Sequence, residues 1–409
     1  MPRMSLIVEE GPLQGGRFHF ETHDVFVFGR DEDCHGRIPD DGYISRHHFV
    51  VDIDPPNAYL RDLGSRNGTW VNGRRVGGKR AGATPSMSLE VRLAAGDEIR
   101  AGRTRMRLAV EGTDERAVTR FIAPGGPAAP APGKFPRIPG YEISGEMGRG
   151  TYGITYLACR RSDGAEVALK VVSTEGELPG DARTRFSREA ALLRHLSHPN
   201  IVAFVDAGTT PRLMYLAMEC CRMGPVSRLA ASHGGKLPLR EAAQPMLGAI
   251  AGLAHAHGHG LVHRDVKPDN ILLAPQGKGR TAKVGDFGFA KLFEQAGMSG
   301  VTISGIFGGT PGFMPREQVL QFRHVRPASD VWSAGAAFYN LLTGDLPRRG
   351  KQGDDALRIM LEGEVVPIRN RLRDLPPAIA EVIDRSLAPN PDDRYPDAGA
   401  LHQALAAVL

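Results

Sequence analysis

An all-β sandwich followed by a larger, two-lobed α+β domain is the fold class that this sequence predicts. Three observations carry it. Residues 1–111 alternate apolar and polar side chains in short runs split by Gly, Asp and Pro clusters, the pattern of a sandwich. Residues 112–139 include Ala-Pro-Gly-Gly-Pro-Ala-Ala-Pro-Ala-Pro-Gly from Ala123 to Gly133, which cannot build a core and reads as a linker. Residues 140–409 open on strands around a Gly-rich turn and then become helical, with an N-lobe over 140–219 and a C-lobe over 222–409.

At 409 residues the length suits two or three domains. The formal charge of +5 lies outside residues 1–111, where 16 basic side chains meet 16 acidic ones. With no Lys/Arg block interleaved with aromatic residues, nucleic acid is not expected as a partner. Cys34, Cys159, Cys220 and Cys221 show no metal-binding spacing. Cys220 and Cys221 are chain neighbours, which rarely bridge without strain, so reduced thiols and a cytoplasmic location are expected. Glu9 and Glu10 end the first apolar run, and no stretch reaches the roughly 18 apolar residues of a membrane span.

Within the sandwich, strands are expected at Met4–Val8, Val25–Phe28 and His48–Asp52. The loops between them carry chemistry. Phe28-Gly29-Arg30 ends one strand, Ser45-Arg46-His47-His48 opens another, and Asp62-Leu63-Gly64-Ser65-Arg66-Asn67-Gly68-Thr69 leads to Val71-Asn72-Gly73. An Arg after Gly is by itself most often a solvated charge, and Asn-Gly is a common turn. In this order the set resembles the forkhead-associated (FHA) domain, whose members bind phosphothreonine peptides. Arg30 then supplies a bidentate fork for phosphate, Ser45 a neutral donor, and Arg46 a second cation. Asn67 grips peptide backbone beside the phosphothreonine. The resemblance implies that His48 and Asn72 brace the loops. The stretch over residues 77–92 is longer than a strand connection needs and reads as a surface loop. In the linker, Thr119-Arg120-Phe121-Ile122 places an apolar residue three positions after a Thr, a preference common among FHA ligands. The residues between the last strand and Thr119 reach at most roughly 27 Å when extended, short of the roughly 34 Å diameter of such a domain. A phosphorylated Thr119 would therefore bind in trans and give self-association rather than bind in cis; an unmodified linker Thr is the competing reading.

In the second domain, Gly148-Arg149-Gly150-Thr151-Tyr152-Gly153 precedes a strand rather than a helix, which suggests a hairpin lid over phosphates. Val167-Ala168-Leu169-Lys170 puts a Lys on an apolar strand, and Glu189 follows in a helical stretch. Leu261 to Asn270 reads Leu-Val-His-Arg-Asp-Val-Lys-Pro-Asp-Asn, and Asp286-Phe287-Gly288 lies beyond it. Together these motifs resemble the eukaryotic-type Ser/Thr protein kinases, as found in bacteria, so ATP and Mg²⁺ are the expected cofactors and protein Ser/Thr hydroxyls the substrates. The resemblance makes Asp265 the base for the hydroxyl proton, with Lys267 near the transferring phosphate. Lys170 binds the α- and β-phosphates and pairs with Glu189; Asn270 and Asp286 ligate metal. Gly148, Gly150 and Gly153 cover the phosphates. Thr155 stands where the family usually has Val, and Met218, Glu219 and Cys221 form the adenine pocket and hinge. Asp330 is implied to hold the catalytic loop, and His263 to be structural. Thr302 and Ser304 are the expected activation-segment phosphosites, in reach of Arg264.

Two departures stand out. The family reads Met-(Ser or Ala)-Pro-Glu after the substrate-docking turn, whereas this chain has Met314-Pro315-Arg316-Glu317. Glu317 is nonetheless expected to pair with Arg394. The run His255, His257, His259, His263 could suggest a metal, but helix-end positions explain it better. Autophosphorylation follows from the resemblance; the competing readings are an inactive kinase-fold adaptor that binds phosphopeptides and a small-molecule phosphotransferase.

Overall fold

The computed structural model describes residues 3–78, 90–111, 120–122, 135–150, 153–175, 180–194, 196–277, 279–287, 311–321, 324–350 and 354–409. Two antiparallel-dominated sheets form the N-terminal sandwich. One runs Arg17–Phe20, Arg3–Glu10, Thr104–Glu111, Glu98–Ala101, Thr69–Val71, Arg74–Arg75; the other runs Gly36–Arg37, Asp24–Gly29, Phe49–Asp54, Asn57–Asp62, Val91–Leu93. Inward residues such as Leu6, Phe28, Phe49, Leu60 and Ile99 are fully buried between them, as alternating strands require. Phe28 stacks on Phe49 at 4.8 Å between ring centroids.

The C-terminal domain has two lobes. Its first lobe is a sheet ordered Tyr141–Gly150, Gly153–Arg160, Glu166–Glu175, Leu213–Glu219, Phe204–Thr209, with helix Gly180–Leu193 beside it. The linker is not wholly without structure, because Arg120–Ile122 pairs with Ser173–Glu175 and extends this sheet. The second lobe is helical. Leu239–Gly258 and Pro327–Thr343 cross at its centre, where Trp332 and Tyr339 are fully buried. Gly344, in the left-handed region at φ 81°, closes the latter helix.

The sandwich also packs against the second lobe. Val25, Val27, Val50 and Leu63, on its outer face, are buried with Met314, Val319, Leu357, Met360 and Leu361 in one apolar cluster. Strand Asp24–Gly29 therefore has no polar face: Phe26 and Phe28 line the sandwich core and Val25 and Val27 meet the other domain. An uninterrupted apolar run is the mark of a strand buried on both sides.

Candidate active site and phosphate-reading loops

A cleft of about 530 Å³ opens between the lobes. The lid hairpin closes one wall, with Gly150 opposite Gly153. Gly153 has no room for a side chain, since an added Cβ would lie 2.3 Å from the Val171 carbonyl. A Cβ added at Gly148 or Gly150 would meet nothing within 4 Å, so that side of their backbone is open to a ligand instead. Strand pairing sets Thr155 opposite Lys170 and Ala168 opposite Met218, and all four line the cleft. At the hinge, burial pushes the Cys221 thiol up to about 12, aided by the Glu219 carboxylate. A thiol of that kind is unreactive, and the hinge offers a ligand its backbone groups.

The cleft floor joins two distant motifs. Strands Ile271–Gln276 and Gly279–Val284 form a hairpin with Ile271 opposite Val284, so Asn270 and Gly285 emerge side by side. Gly285 donates its N–H to the Asn270 carbonyl at 2.8 Å, and its own carbonyl accepts from His263 Nε2 at 2.8 Å. The segment before Asp286 is thereby registered against the catalytic loop. Asp265 holds a dense set of contacts: Lys267 Nζ donates to its two carboxylate oxygens at 2.9 and 2.8 Å, and Asn270 Nδ2 to its Oδ2 at 2.9 Å and its carbonyl at 2.7 Å. Across the cleft, Lys170 Nζ lies 2.7 Å from Asp286 Oδ2. Arg264 and Asp286 adopt left-handed φ values of 69° and 61°, a conformation that non-Gly residues hold only where the surroundings impose it.

At Arg264, Asp330 supplies much of that imposition. Fully buried, it accepts from the backbone N–H of His263 at 2.7 Å and of Arg264 at 2.9 Å, and it meets His257 Nε2 at 2.9 Å. Glu317 accepts from Arg394 at 2.6 and 3.1 Å in a buried pair. The side chain of Glu189, and the residues Gly288, Thr302, Ser304 and Thr310, lie outside the described residues, as do 79–89 of the long loop. Among the described residues, the one carboxylate, thiol and imidazole group close enough for a shared ion is Asp33, Cys34 and His47, and the Arg316 guanidinium already sits on Asp33. The four histidines 255, 257, 259 and 263 do not form such a group.

A protein kinase domain model matches residues 141–406, well over half of the chain. The chain belongs to the protein kinase family. An FHA domain model matches residues 26–102. Serine/threonine-protein kinase PknA of Mycobacterium tuberculosis is 34% identical over 273 residues, which cover 66% of this chain and 61% of that protein. Serine/threonine-protein kinase Pkn1 of Myxococcus xanthus is 35% identical over 284 residues, 67% of this chain and 39% of that one. The chain thus spans about three fifths or less of these relatives' length. The crystal structure of Rad53 1-466 in complex with AMP-PNP covers 98% of this chain and 100% of its own at a TM-score of 0.51 and 22% identity, a likeness of fold. The reading of this chain as an FHA sandwich joined to a two-lobed kinase fold agrees with these matches.

In the FHA domain the residues expected to contact phosphate gather at one end. The carbonyls of Ser45 and Arg46 accept from the N–H groups of Arg30 and Asp31 at 3.1 and 3.2 Å, which sets the two Arg-bearing loops side by side. Gly29 allows this approach, because a Cβ there would lie 1.9 Å from the Arg46 carbonyl. Ser45 Oγ accepts from the Arg66 N–H at 3.0 Å and keeps its own O–H to donate. Asn67 Nδ2 donates to the Tyr43 carbonyl at 2.7 Å. His48 bridges the loops, accepting from Ser45 N–H at 3.0 Å and donating to the Gly68 carbonyl at 3.0 Å. Asn72 bridges to Asp97 and Glu98 at 2.8 and 2.9 Å.

Reading the motifs missed a second set of partners. Arg46 reaches Glu362 of the kinase domain at 2.6 Å, His47 lies between Asp33 and Glu362, and Arg61 pairs with Asp355 at 2.7 Å. Arg316, the departure after the docking turn, pairs with Asp33 of the FHA domain.

Proposed function

We propose that this chain transfers the γ-phosphate of ATP to Ser and Thr hydroxyls of proteins, including its own, and that its FHA domain binds phosphothreonine peptides. The observation that carries the first part is the Asp265 carboxylate, gripped by Lys267 and Asn270 on a cleft floor that faces Lys170 and Asp286. Asp265 orients the incoming hydroxyl and accepts its proton, while Lys267 balances charge beside it. Lys170 takes the α- and β-phosphates, with Gly148 and Gly150 above them and Thr155, Met218 and the Glu219–Cys221 hinge around adenine. Asn270 commits its amide nitrogen to Asp265, so its oxygen, with the Asp286 carboxylate, supplies the hard donors that fit Mg²⁺. Mg²⁺, when bound, neutralises charge on the phosphate oxygens. Four free thiols support a reducing, cytoplasmic setting.

Switching by phosphorylation at Thr302 or Ser304 belongs to the same proposal, with Arg264 as the cation that would order the segment. So does phosphorylated Thr119 as a ligand in trans. The neighbours Arg120–Ile122 are paired into the N-lobe sheet, so this strand must first come away.

Incubation with labelled ATP tests the reading. The wild type is expected to label itself and a general protein substrate, and Asp265→Asn to lose about 10²–10⁴-fold in rate. Equal labelling by the two proteins would overturn the reading. No labelling by either would favour a phosphopeptide adaptor with an inactive kinase fold.

A further inference from the structure

The polar rim of the interdomain contact reaches the phosphate-reading loops. Arg46, one of the two cations assigned to phosphate, donates from Nη2 to Glu362 Oε2 at 2.6 Å. Glu362 ends helix Ala356–Glu362 and is only 7% exposed, whereas the Arg46 side chain stays 52% exposed. The same carboxylate also accepts from Arg358 Nε at 3.1 Å and faces His47 Nδ1 at 3.3 Å. At the far side of the contact, Arg61 meets Asp355 at 2.7 Å and Arg358 Nη1 donates to the Gly64 carbonyl at 3.1 Å. Nearer the docking turn, His35 Nε2 lies 2.6 Å from the Leu320 carbonyl, and Arg316 holds Asp33.

A guanidinium fork suits a carboxylate and a phosphate equally well in shape. A buried carboxylate beside the fork repels an arriving phosphate dianion and competes for its donor. We propose that the docked FHA domain is a low-affinity state, in which Glu362 holds Arg46 in place of a ligand's phosphate. Phosphothreonine binding and release of the FHA domain from Met314–Leu320 and helix Ala356–Glu362 are then two faces of one equilibrium. This rests on the phosphothreonine reading of the FHA domain. Coupling of this kind is reciprocal: whatever loosens the contact strengthens peptide binding, and peptide loosens the contact. The segment Met314–Leu320 directly follows the turn at Pro311–Phe313, so the FHA domain senses phosphopeptide and restrains the kinase's docking surface through the same interdomain contact.

The test uses the full chain, dephosphorylated beforehand. The probe is a fluorescein-labelled phosphothreonine peptide pool, randomised on both sides of the phosphothreonine. Polarisation is read for wild type, Glu362→Gln, Asp355→Asn and Arg30→Ala. Asp355 caps its helix by accepting from Leu357 and Arg358 N–H; Asn caps as well, so that variant loses the charge opposite Arg61 and keeps the helix. Both Glu362→Gln and Asp355→Asn are expected to bind the pool about five- to thirtyfold more tightly than wild type, within the usual range of coupling between sites, and Arg30→Ala not to bind. Equal or weaker binding by Glu362→Gln would mean that Glu362 orients Arg46, and would overturn the proposal. Tighter binding by Glu362→Gln with Asp355→Asn unchanged would confine the effect to Arg46 and overturn the coupling to docking. If neither wild type nor Glu362→Gln binds, or Arg30→Ala binds as well as wild type, the phosphothreonine reading itself fails and takes the proposal with it.

Discussion

At the scale of single residues, environment separates chemically identical groups. His47 and His48 are chain neighbours and both buried, yet their roles differ. Burial lowers His48, and its contacts, one backbone donor and one backbone acceptor, suit a neutral ring. His47 has a carboxylate on each nitrogen, Asp33 at 2.9 Å and Glu362 at 3.3 Å; burial opposes its charge, but these partners raise it to about 8. The Glu317–Arg394 pair follows a related logic. With both partners buried, removing one strands the other's charge in a dry site, at a cost of about 3–5 kcal/mol. Glu317→Ala should therefore lower the denaturant midpoint of the full chain by a corresponding amount. A loss near that of an exposed pair, below about 1 kcal/mol, would contradict this.

At the scale of elements, position in the chain matters less than what lies on each face. The hairpin Ile271–Gln276 with Gly279–Val284 explains why Asn270 and Asp286 line one cleft although a strand pair intervenes. Strand Asp24–Gly29 is the clearest case of a face with a second use. Its Phe26 and Phe28 serve the sandwich, and its fully buried Val25 and Val27 serve the kinase domain. Val27→Asp should leave the FHA sandwich folded, because the changed side chain points away from its core, while placing a charge in the apolar contact. Small-angle scattering should then give a larger radius of gyration than wild type, with hydrogen exchange faster in helix Ala356–Glu362. An unchanged radius and unchanged exchange would show that Val27 does not hold the domains together.

At the scale of the whole molecule, the interdomain charges make docking sensitive to pH. His47 faces Asp33 and Glu362, with Arg46, Arg316 and Arg358 paired to those carboxylates and the Cys34 thiol beside them. A cation raised from 6.5 to about 8 contributes stability that is complete below 6.5 and is lost as pH rises through 8. Burial pushes Glu362 up, but His47, Arg358 and Arg46 outweigh it and bring the carboxyl down to about 2 from 4.5. Its contribution is present above 4.5 and disappears only as pH falls through 2. Cys34, pushed up to about 12 by burial and by Asp33, stays a neutral thiol across this range. Asp33 lies in His47's own domain and keeps its share of the shift after release, so only the Glu362 share bears on docking. Docking is thus expected to weaken as pH rises through about 8, read as rising exchange in helix Ala356–Glu362 after correction for intrinsic rates. His47→Gln should abolish the step, and a step that survives this substitution would assign the titration elsewhere.

Much of this protein was legible before any coordinate. The Gly-rich lid, Lys170, Asp265, Asn270 and Asp286 announce themselves because their chemistry constrains residue type and spacing within short segments, and the FHA loops do so for the same reason. The alternating strands follow from hydrophobic periodicity, which is likewise local. The docking of the two domains was not legible as a contact, since its charges pair across separations of 283 to 316 positions. A solvated Arg316 and one paired with Asp33 look alike in a one-dimensional sequence. One trace was present in the run Val25-Phe26-Val27-Phe28, apolar on both faces where a free sandwich strand would show one polar face. What covers the second face depends on which surface of the kinase domain has the matching shape and charge, and that complementarity exists only once both domains are folded.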